Sequence, residues 1–327
     1  MLVTGGAGYI GMLAVERLRA AGHDVNVLDV LLHGQEKLAA RLEGLGASVI
    51  RGDVRNADAR AAALEGADAV VHLAAIVGDP ACARDPELAR AVNVEGSRAI
   101  AAEAKERGVE RFLFASTCSN YGRMADPTVP VDEHGALAPV SLYAEQKVEL
   151  ETWLLGMPES VFAPTCLRFA TIFGAAPRMR FDLTVNEFTR DLWAGRELEV
   201  FGEQFWRPYV HVAEAATAIQ MVLVAPLETV RGEVFNVGHS DENYRKLDLV
   251  ELITKRLGRG EVSFVKRDED PRDYKVSFEK IRGALGFVPQ RRVPDGIDEI
   301  VRALEEQRFG DPFDARFSNL TAGSLGS

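Results

Sequence analysis

Tyr143 and Lys147 stand four positions apart in Tyr143-Ala144-Glu145-Gln146-Lys147, so on a helix a phenol and an ammonium share one face, one turn apart. A free phenol, with a pKa of about 10, is a poor base at neutral pH. A neighbouring cation stabilises the phenolate and moves it towards the working range. Ordinary solvated helix faces also carry Tyr and Lys at this spacing, so position has to separate the two readings. The pair follows an apolar stretch ending in Ser116-Thr117-Cys118-Ser119-Asn120-Tyr121-Gly122. In a parallel sheet that stretch ends at the carboxyl edge, where ligands sit.

A second constellation lies near residue 1. Thr4-Gly5-Gly6-Ala7-Gly8-Tyr9-Ile10-Gly11 follows a short apolar run and opens a helical one. Glycines at 5, 8 and 11 permit a tight turn, let the backbone touch a pyrophosphate, and leave helix N-terminal N–H groups facing the anion. Asp29 falls 21 residues after Gly8, at the end of the next apolar run. There its carboxylate can accept both hydroxyls of an adenosine ribose, or simply cap a turn. Val30, Leu31 and Leu32 follow it without a cation for a 2′-phosphate, which favours NAD over NADP. Asp53, in Gly52-Asp53-Val54, suits either an adenine edge or a turn.

The elements that must hold these residues are legible as alternation. Apolar runs at 1–4, 24–28, 48–52, 69–73, 111–115 and 165–169 alternate with helical stretches at 11–21, 35–45, 57–64, 86–107 and 142–155. This is the pattern of an α/β fold, a doubly wound parallel sheet with helices on both faces. After about residue 170 the rhythm breaks. A strand and helix return at 209–212 and 213–224 and a strand at 234–237, then a less regular C-terminal third follows. The expected organisation is a dinucleotide-binding domain over 1–173 with 207–238 returning to it. A smaller substrate-binding lobe is expected from 174–206 and 239–317, and a disordered tail over 318–327.

Composition narrows the ligand. The 327 residues carry 38 Lys plus Arg against 49 Asp plus Glu, a net charge of −11, which opposes general nucleic-acid binding. An anionic small ligand then needs local cations. Arg178, Arg180, Arg207 and Arg272 are the candidates, each weighed against a solvated surface charge. Three Cys (Cys82, Cys118, Cys166) without metal spacing suggest a reducing compartment, and His72 and His211 read as structural, so no metal is expected. No apolar stretch reaches the roughly 18–20 residues of a membrane span, and no signal peptide precedes the first strand, so a soluble, cytoplasmic protein is expected.

Taken together, these motifs resemble an extended short-chain dehydrogenase/reductase of the nucleotide-sugar epimerase/dehydratase branch. The matching residues are 4–11, Asp29, Gly52-Asp53-Val54, His72-Leu73-Ala74-Ala75, Asn93, the Ser/Thr run to Tyr121-Gly122, and Tyr143 with Lys147. They continue through Leu167-Arg168-Phe169 to Gly174, Arg207-Pro208-Tyr209-Val210-His211-Val212 and Phe235-Asn236-Val237-Gly238. The resemblance implies a Rossmann-type fold with a smaller C-terminal lobe and bound NAD. It implies cofactor contacts from Gly5, Gly8, Tyr9, Ile10, Gly11, Asp29, Asp53, Val54, Leu73, Ala74, Ala75, Asn93, Tyr143 and Lys147.

By the same resemblance Tyr143 is the general base and acid, Lys147 holds the nicotinamide ribose and lowers the phenol's pKa, and Thr117 shares the substrate proton. The implied substrate is a nucleotide-diphosphate sugar, contacted by Thr117, Ser119, Thr171, Arg180, Asn186, Arg207 and Arg272. Thr171 stands where many relatives carry Asn. Dehydratase members carry Asp-Glu after the Thr, where this chain has Cys118-Ser119. Without those carboxylates the expected reaction is 4-epimerisation through a transient 4-keto sugar. Net oxidation or 4-keto reduction is the alternative, with a dehydratase or a non-catalytic dinucleotide sensor less favoured. Cys118 is read as a buried bystander thiol, and a homodimer is implied through the helices near 86–107 and 142–155.

Overall fold

The computed structural model describes residues 1–157, 162–266 and 272–320. Among the described residues, short β-branched and apolar runs form twelve strands in chain order. They are β1 (Leu2–Thr4), β2 (Asn26–Asp29), β3 (Ser48–Arg51), β4 (Ala69–His72), β5 (Arg111–Thr117), β6 (Ala163–Phe169), β7 (Thr171–Phe173), β8 (Leu198–Val200), β9 (Trp206–His211), β10 (Val234–Val237), β11 (Asn243–Arg245) and β12 (Val262–Phe264). Seven of them build one parallel sheet in the order β10-β6-β5-β4-β1-β2-β3. Strands β4 and β6 are buried along their whole length, as a sheet covered on both faces requires.

Two apolar cores flank that sheet. Val15, Leu18, Leu167 and Ile219 belong to one, and Phe112, Ile100, Leu150 and Leu154 to the other. The order of strands reverses between β1 and β4, and the crevice outside their carboxyl ends is the place such sheets bind ligands. The helix Leu142–Leu155 starts on Ser141, whose hydroxyl accepts from the Ala144 N–H, and it buries Ala144, Lys147, Glu151 and Leu154 against the sheet. Lys147 shares that buried face with Ala144, Glu151 and Leu154 by helix spacing.

Three sequence expectations change here. The run 86–107 is helical but not one regular helix: Pro86–Arg90 and Ser97–Glu106 are α-helical, with a π-wound stretch, Ala91–Gly96, between them. The strand at 206–211 does not return to the large sheet. It pairs parallel with β7 and antiparallel with β11 in a separate three-stranded sheet, while the helix Val212–Val224 and β10 do rejoin the large one. Finally, Ser318–Leu320 are not a loose tail. The Phe181 N–H donates to the Phe317 carbonyl at 2.8 Å, the Asn319 N–H donates to Asp182 at 3.2 Å, and Arg84 donates to the Leu320 carbonyl. The remainder of the expected tail, 321–327, lies outside the described residues.

The second lobe is assembled from β7, β8, β9, β11 and β12 with the helices Thr184–Trp193, Lys246–Leu257 and Val293–Glu305, around Phe173, Phe188, Leu192, Tyr209 and Ile297. Among the described residues no helix is long and apolar enough to cross a membrane, and no group of three His, Cys, Asp or Glu is placed to hold a metal ion.

Candidate active site

A cavity of about 650 Å³ runs across the carboxyl edge of the large sheet and is roofed by the second lobe. One end is the glycine turn. Gly5 has φ +68°, and its missing side chain lets the Ala74 backbone approach: a Cβ there would lie 2.9 Å from the Ala74 nitrogen. A Cβ on Gly11 would lie 2.3 Å from the Gly5 carbonyl oxygen. Asp29 fastens this turn to the end of β2, with one carboxylate oxygen accepting from the Ala7 N–H at 3.0 Å and the other from the Leu31 N–H at 2.9 Å. Burial raises its carboxyl pKa, the two backbone N–H groups oppose that, and Arg178 adds a weaker pull downward. Asp29 thus performs the turn-capping role while still facing the cavity.

Asp53 also faces the cavity and is held by Arg55, which donates from Nη2 at 2.7 Å and lowers the carboxyl pKa against its desolvation. Val54, Leu73, Ala74 and Ala75 complete this wall with Gly8, Tyr9 and Ile10. The Tyr9 hydroxyl, however, points into the second lobe. It donates to the Gly174 carbonyl at 2.5 Å and accepts from Asn186 at 3.0 Å, tying the glycine loop to the roof.

The other end holds Thr117, Ser119, Tyr143, Lys147 and Thr171, all lining the same cavity. The strand-end run that presents Thr117 is anchored from behind. Ser116 donates to Glu151 at 2.7 Å, Asn120 donates to Ser116 at 3.1 Å, and Tyr121 donates to Asn236 at 2.8 Å. Glu151 is in turn paired with Arg168, and both side chains are buried. Lys147 Nζ donates to the Ala115 carbonyl at 2.7 Å and sits 5.7 Å from the centre of the Tyr143 ring. Burial lowers its pKa to about 8.

The electrostatics of Tyr143 differ from the expectation. Burial pushes the phenol up, as do Cys82 and Asp79, while Arg180 and Arg272 pull it down. Arg180 and Arg272, two arginines outside the helix that carries the Tyr–Lys pair, thus add to the positive field at the phenol, while Lys147 Nζ, 5.7 Å from the ring centre, keeps two further N–H donors beyond its bond to Ala115.

Two residues carried over from the resemblance lie off the cavity. Asn93, in the π-wound stretch, uses its amide to brace the loop after β4. It accepts from the Ile76 N–H at 2.8 Å and donates to the Ile76 carbonyl at 3.0 Å and to Gln146 at 2.9 Å. Asn186 is fully buried and occupied by Gly174, Tyr9 and Arg180 backbone or hydroxyl groups, which leaves it no reach to a phosphate. Cys118 is buried, donates to the Arg168 carbonyl at 3.2 Å and has its pKa raised by desolvation, as a bystander thiol would. His72 bridges Thr4 and Ser97 beneath the sheet edge, its pKa lowered to about 3 by burial and by Lys147.

The cations meet in the roof. Arg180 pairs with Asp182 at 2.6 Å, and Arg207 is buried with its Nη1 on the Trp206 carbonyl at 2.7 Å. Arg178 is 5% exposed and faces the cavity, so it is not a solvated surface charge; it donates to Asn319 at 2.6 Å. Arg272, Asp79, Asn319 and Leu320 also line the cavity. The last three were not singled out from the sequence: they come from a loop tip and a chain end, which carry no periodic signal.

A glycine turn at the switch point of a doubly wound sheet, sharing one cavity with a buried Tyr and Lys, defines a dinucleotide-binding α/β protein whose cavity continues past the turn to a second group of polar side chains. The chain belongs to the NAD dependent epimerase/dehydratase family, whose model matches residues 1–238. Its relatives include a dTDP-glucose 4,6-dehydratase of Streptomyces niveus, 30% identical over 94% of this chain and 93% of that protein. The UDP-glucose 4-epimerase of Thermus thermophilus in complex with NAD superimposes with a TM-score of 0.82 at 26% identity, covering 93% of this chain and 98% of that one. That of Thermotoga maritima with UDP-glucose gives 0.84 at 25%, over 94% and 99%. NAD is the cofactor of this family, and the cradle fits it: a Cβ at Gly5 or Gly11 would fill the space against the turn, and the Asp29 carboxylate lines the same cavity.

Proposed function

We propose that the protein is an NAD-dependent nucleotide-sugar 4-epimerase, acting as a homodimer in the cytoplasm. The observation that carries the reading is the convergence of Thr117, Tyr143 and Lys147 on the cavity that begins at the glycine turn, with no carboxylate at 118 or 119. NAD, when bound, supplies a hydride acceptor and donor. Tyr143 takes and returns the proton of the sugar C4 hydroxyl, Thr117 shares that proton, and Lys147 holds the nicotinamide ribose. Arg180 and Arg207 supply cations for the diphosphate, which a chain of net charge −11 must concentrate locally. Loss of the Asp-Glu pair removes the groups an elimination would use, which favours simple hydride removal and return over 4,6-dehydration.

The test is interconversion of UDP-glucose and UDP-galactose by the purified protein while absorbance of reduced cofactor is followed. The expected result is epimerisation without net NADH. Tyr143→Phe should lower turnover by roughly 10²- to 10⁴-fold and leave NAD bound. Net accumulation of NADH, or full turnover in the variant, contradicts the proposal.

A further inference from the structure

The loop after β4 brings a carboxylate to the reacting end of the cavity. Gly78, with φ +102°, turns the chain so that Asp79 opens the short helix Asp79–Arg84, and Asn93 grips both backbone groups of Ile76 just upstream. The carboxylate is therefore positioned by a braced loop rather than by a free side chain. One of its oxygens, Oδ2, pairs with Arg272 Nη2 at 3.1 Å, and Arg272 Nη1 donates to Ser119 Oγ at 3.1 Å. This links the two lobes across the site, two residues from Thr117. The other oxygen, Oδ1, is buried and has no hydrogen-bond partner among the described residues. The Asp79 side chain as a whole lines the cavity and is 32% exposed, so a modest rotation of the carboxylate offers this unpartnered oxygen to a ligand donor.

We propose that Asp79 is a specificity-determining residue that accepts a hydrogen bond from a ring hydroxyl of the sugar, with Arg272 holding it in place. The inference rests on the nucleotide-sugar reading above. Its chemistry is directional. An ionised carboxylate only accepts, so hydroxyl groups satisfy it, whereas a sugar carrying its own carboxylate sets two anions against each other. Asp79 and Arg272 together are neutral, so the pair adds no net attraction for a charged sugar. A neutral, hydroxyl-bearing hexose is the class this end of the cavity accepts. Arg272, which the family resemblance placed at the diphosphate with Arg207, then serves the sugar end.

Isothermal titration of the NAD-loaded protein separates the terms, using UDP, UDP-glucose and UDP-glucuronic acid, with dTDP and dTDP-glucose run alongside. The wild type should bind the glucose conjugate more tightly than the free nucleotide diphosphate, and UDP-glucuronic acid more weakly than UDP-glucose. Asp79→Ala should weaken the glucose conjugate about tenfold to a hundredfold, the range for a hydrogen bond to a charged group, and leave UDP within twofold. Asp79→Asn, which keeps the shape, should lose less for the glucose conjugate and narrow the margin against UDP-glucuronic acid. Unchanged glucose-conjugate affinity in both variants overturns the inference. Equal loss for the free diphosphate and its glucose conjugate also overturns it, because Asp79 would then be holding the roof rather than reading the sugar. Failure of the wild type to bind any of the five compounds is a separate result that removes the nucleotide-sugar reading itself.

Discussion

Gly11→Ala isolates the cofactor turn from everything else in the fold. The added Cβ would lie 2.3 Å from the Gly5 carbonyl oxygen, 2.6 Å from Gly6 Cα and 2.8 Å from the Gly6 carbonyl carbon. All three are backbone atoms, so no side-chain rotation relieves the contact. A Cβ needs about 3.0 Å even at its tightest, so the Gly5 carbonyl has to retreat by about 0.7 Å. That carbonyl accepts from the Gly8 N–H at 3.0 Å, and the Gly5 N–H donates to Leu28 at 2.8 Å, so the retreat strains both the turn and its junction with β2. Overpacking of this kind costs about 1–3 kcal/mol. The melting temperature should fall by about 1.5–4.5 degrees for a chain of 327 residues. NAD affinity, measured by titration calorimetry, should weaken at least about tenfold because the displaced turn no longer presents its N–H groups to the pyrophosphate. Gly283→Ala is the matched control: it lies inside the helix Glu279–Leu285 with nothing within 4 Å of its Cβ, and should stabilise by roughly 0.5–1 kcal/mol. If Gly11→Ala keeps both its melting temperature and its NAD affinity within twofold of wild type, the close approach argued for the turn is wrong.

Lys147→Met tests the buried ammonium. Burial takes the Lys147 pKa from 10.5 to about 8, so between those values the unfolded chain holds a proton that the folded protein has released. Wild-type stability should therefore rise with pH across that window relative to the variant, by on the order of 3 kcal/mol at most. Urea unfolding of the dinucleotide-free proteins at pH 7, 9 and 10.5 reads the difference, and a pH-independent gap counts against it. Glu151→Ala leaves Arg168 buried without its carboxylate and unpins Ser116, so about 3–5 kcal/mol of stability should be lost. Replacing both Glu151 and Arg168 by Leu should restore much of that loss in thermal unfolding; a double variant as weak as the single one refutes the pairing argument.

The parts of the fold legible in the sequence are those whose signal is local. The glycine turn, the strands β1 to β6 and the helix Leu142–Leu155 follow from residue type and spacing, and the structure places them accordingly. Sheet membership is different. The run at 206–211 reads as a strand from its own residues, but which sheet it joins is fixed by Thr171–Phe173 and Asn243–Arg245, distant segments that offer it an edge. Site residues divide the same way. Thr117, Tyr143 and Lys147 reach the cavity because one strand end and one helix face dictate it. Asn93 and Asn186 match family positions, yet their amides are consumed by neighbouring backbone, which only tertiary packing reveals. Asp79 and Asn319 were invisible for the complementary reason: a loop tip and a chain end bring them in from outside any periodic element.

The charge balance at Tyr143 joins these two kinds of residue. A phenol buried on the sheet side is driven towards its neutral form, and the cations that oppose this, Arg180 and Arg272, belong to segments of the second lobe. Arg180 is fixed by Asp182, which also receives the Asn319 N–H, and Arg272 is fixed by Asp79 and Ser119 on the sheet side. Both guanidinium groups are thus held by side chains outside the helix that carries Tyr143. The Tyr-x-x-x-Lys spacing is set by one helix, whereas these opposing charges come from segments distant in sequence.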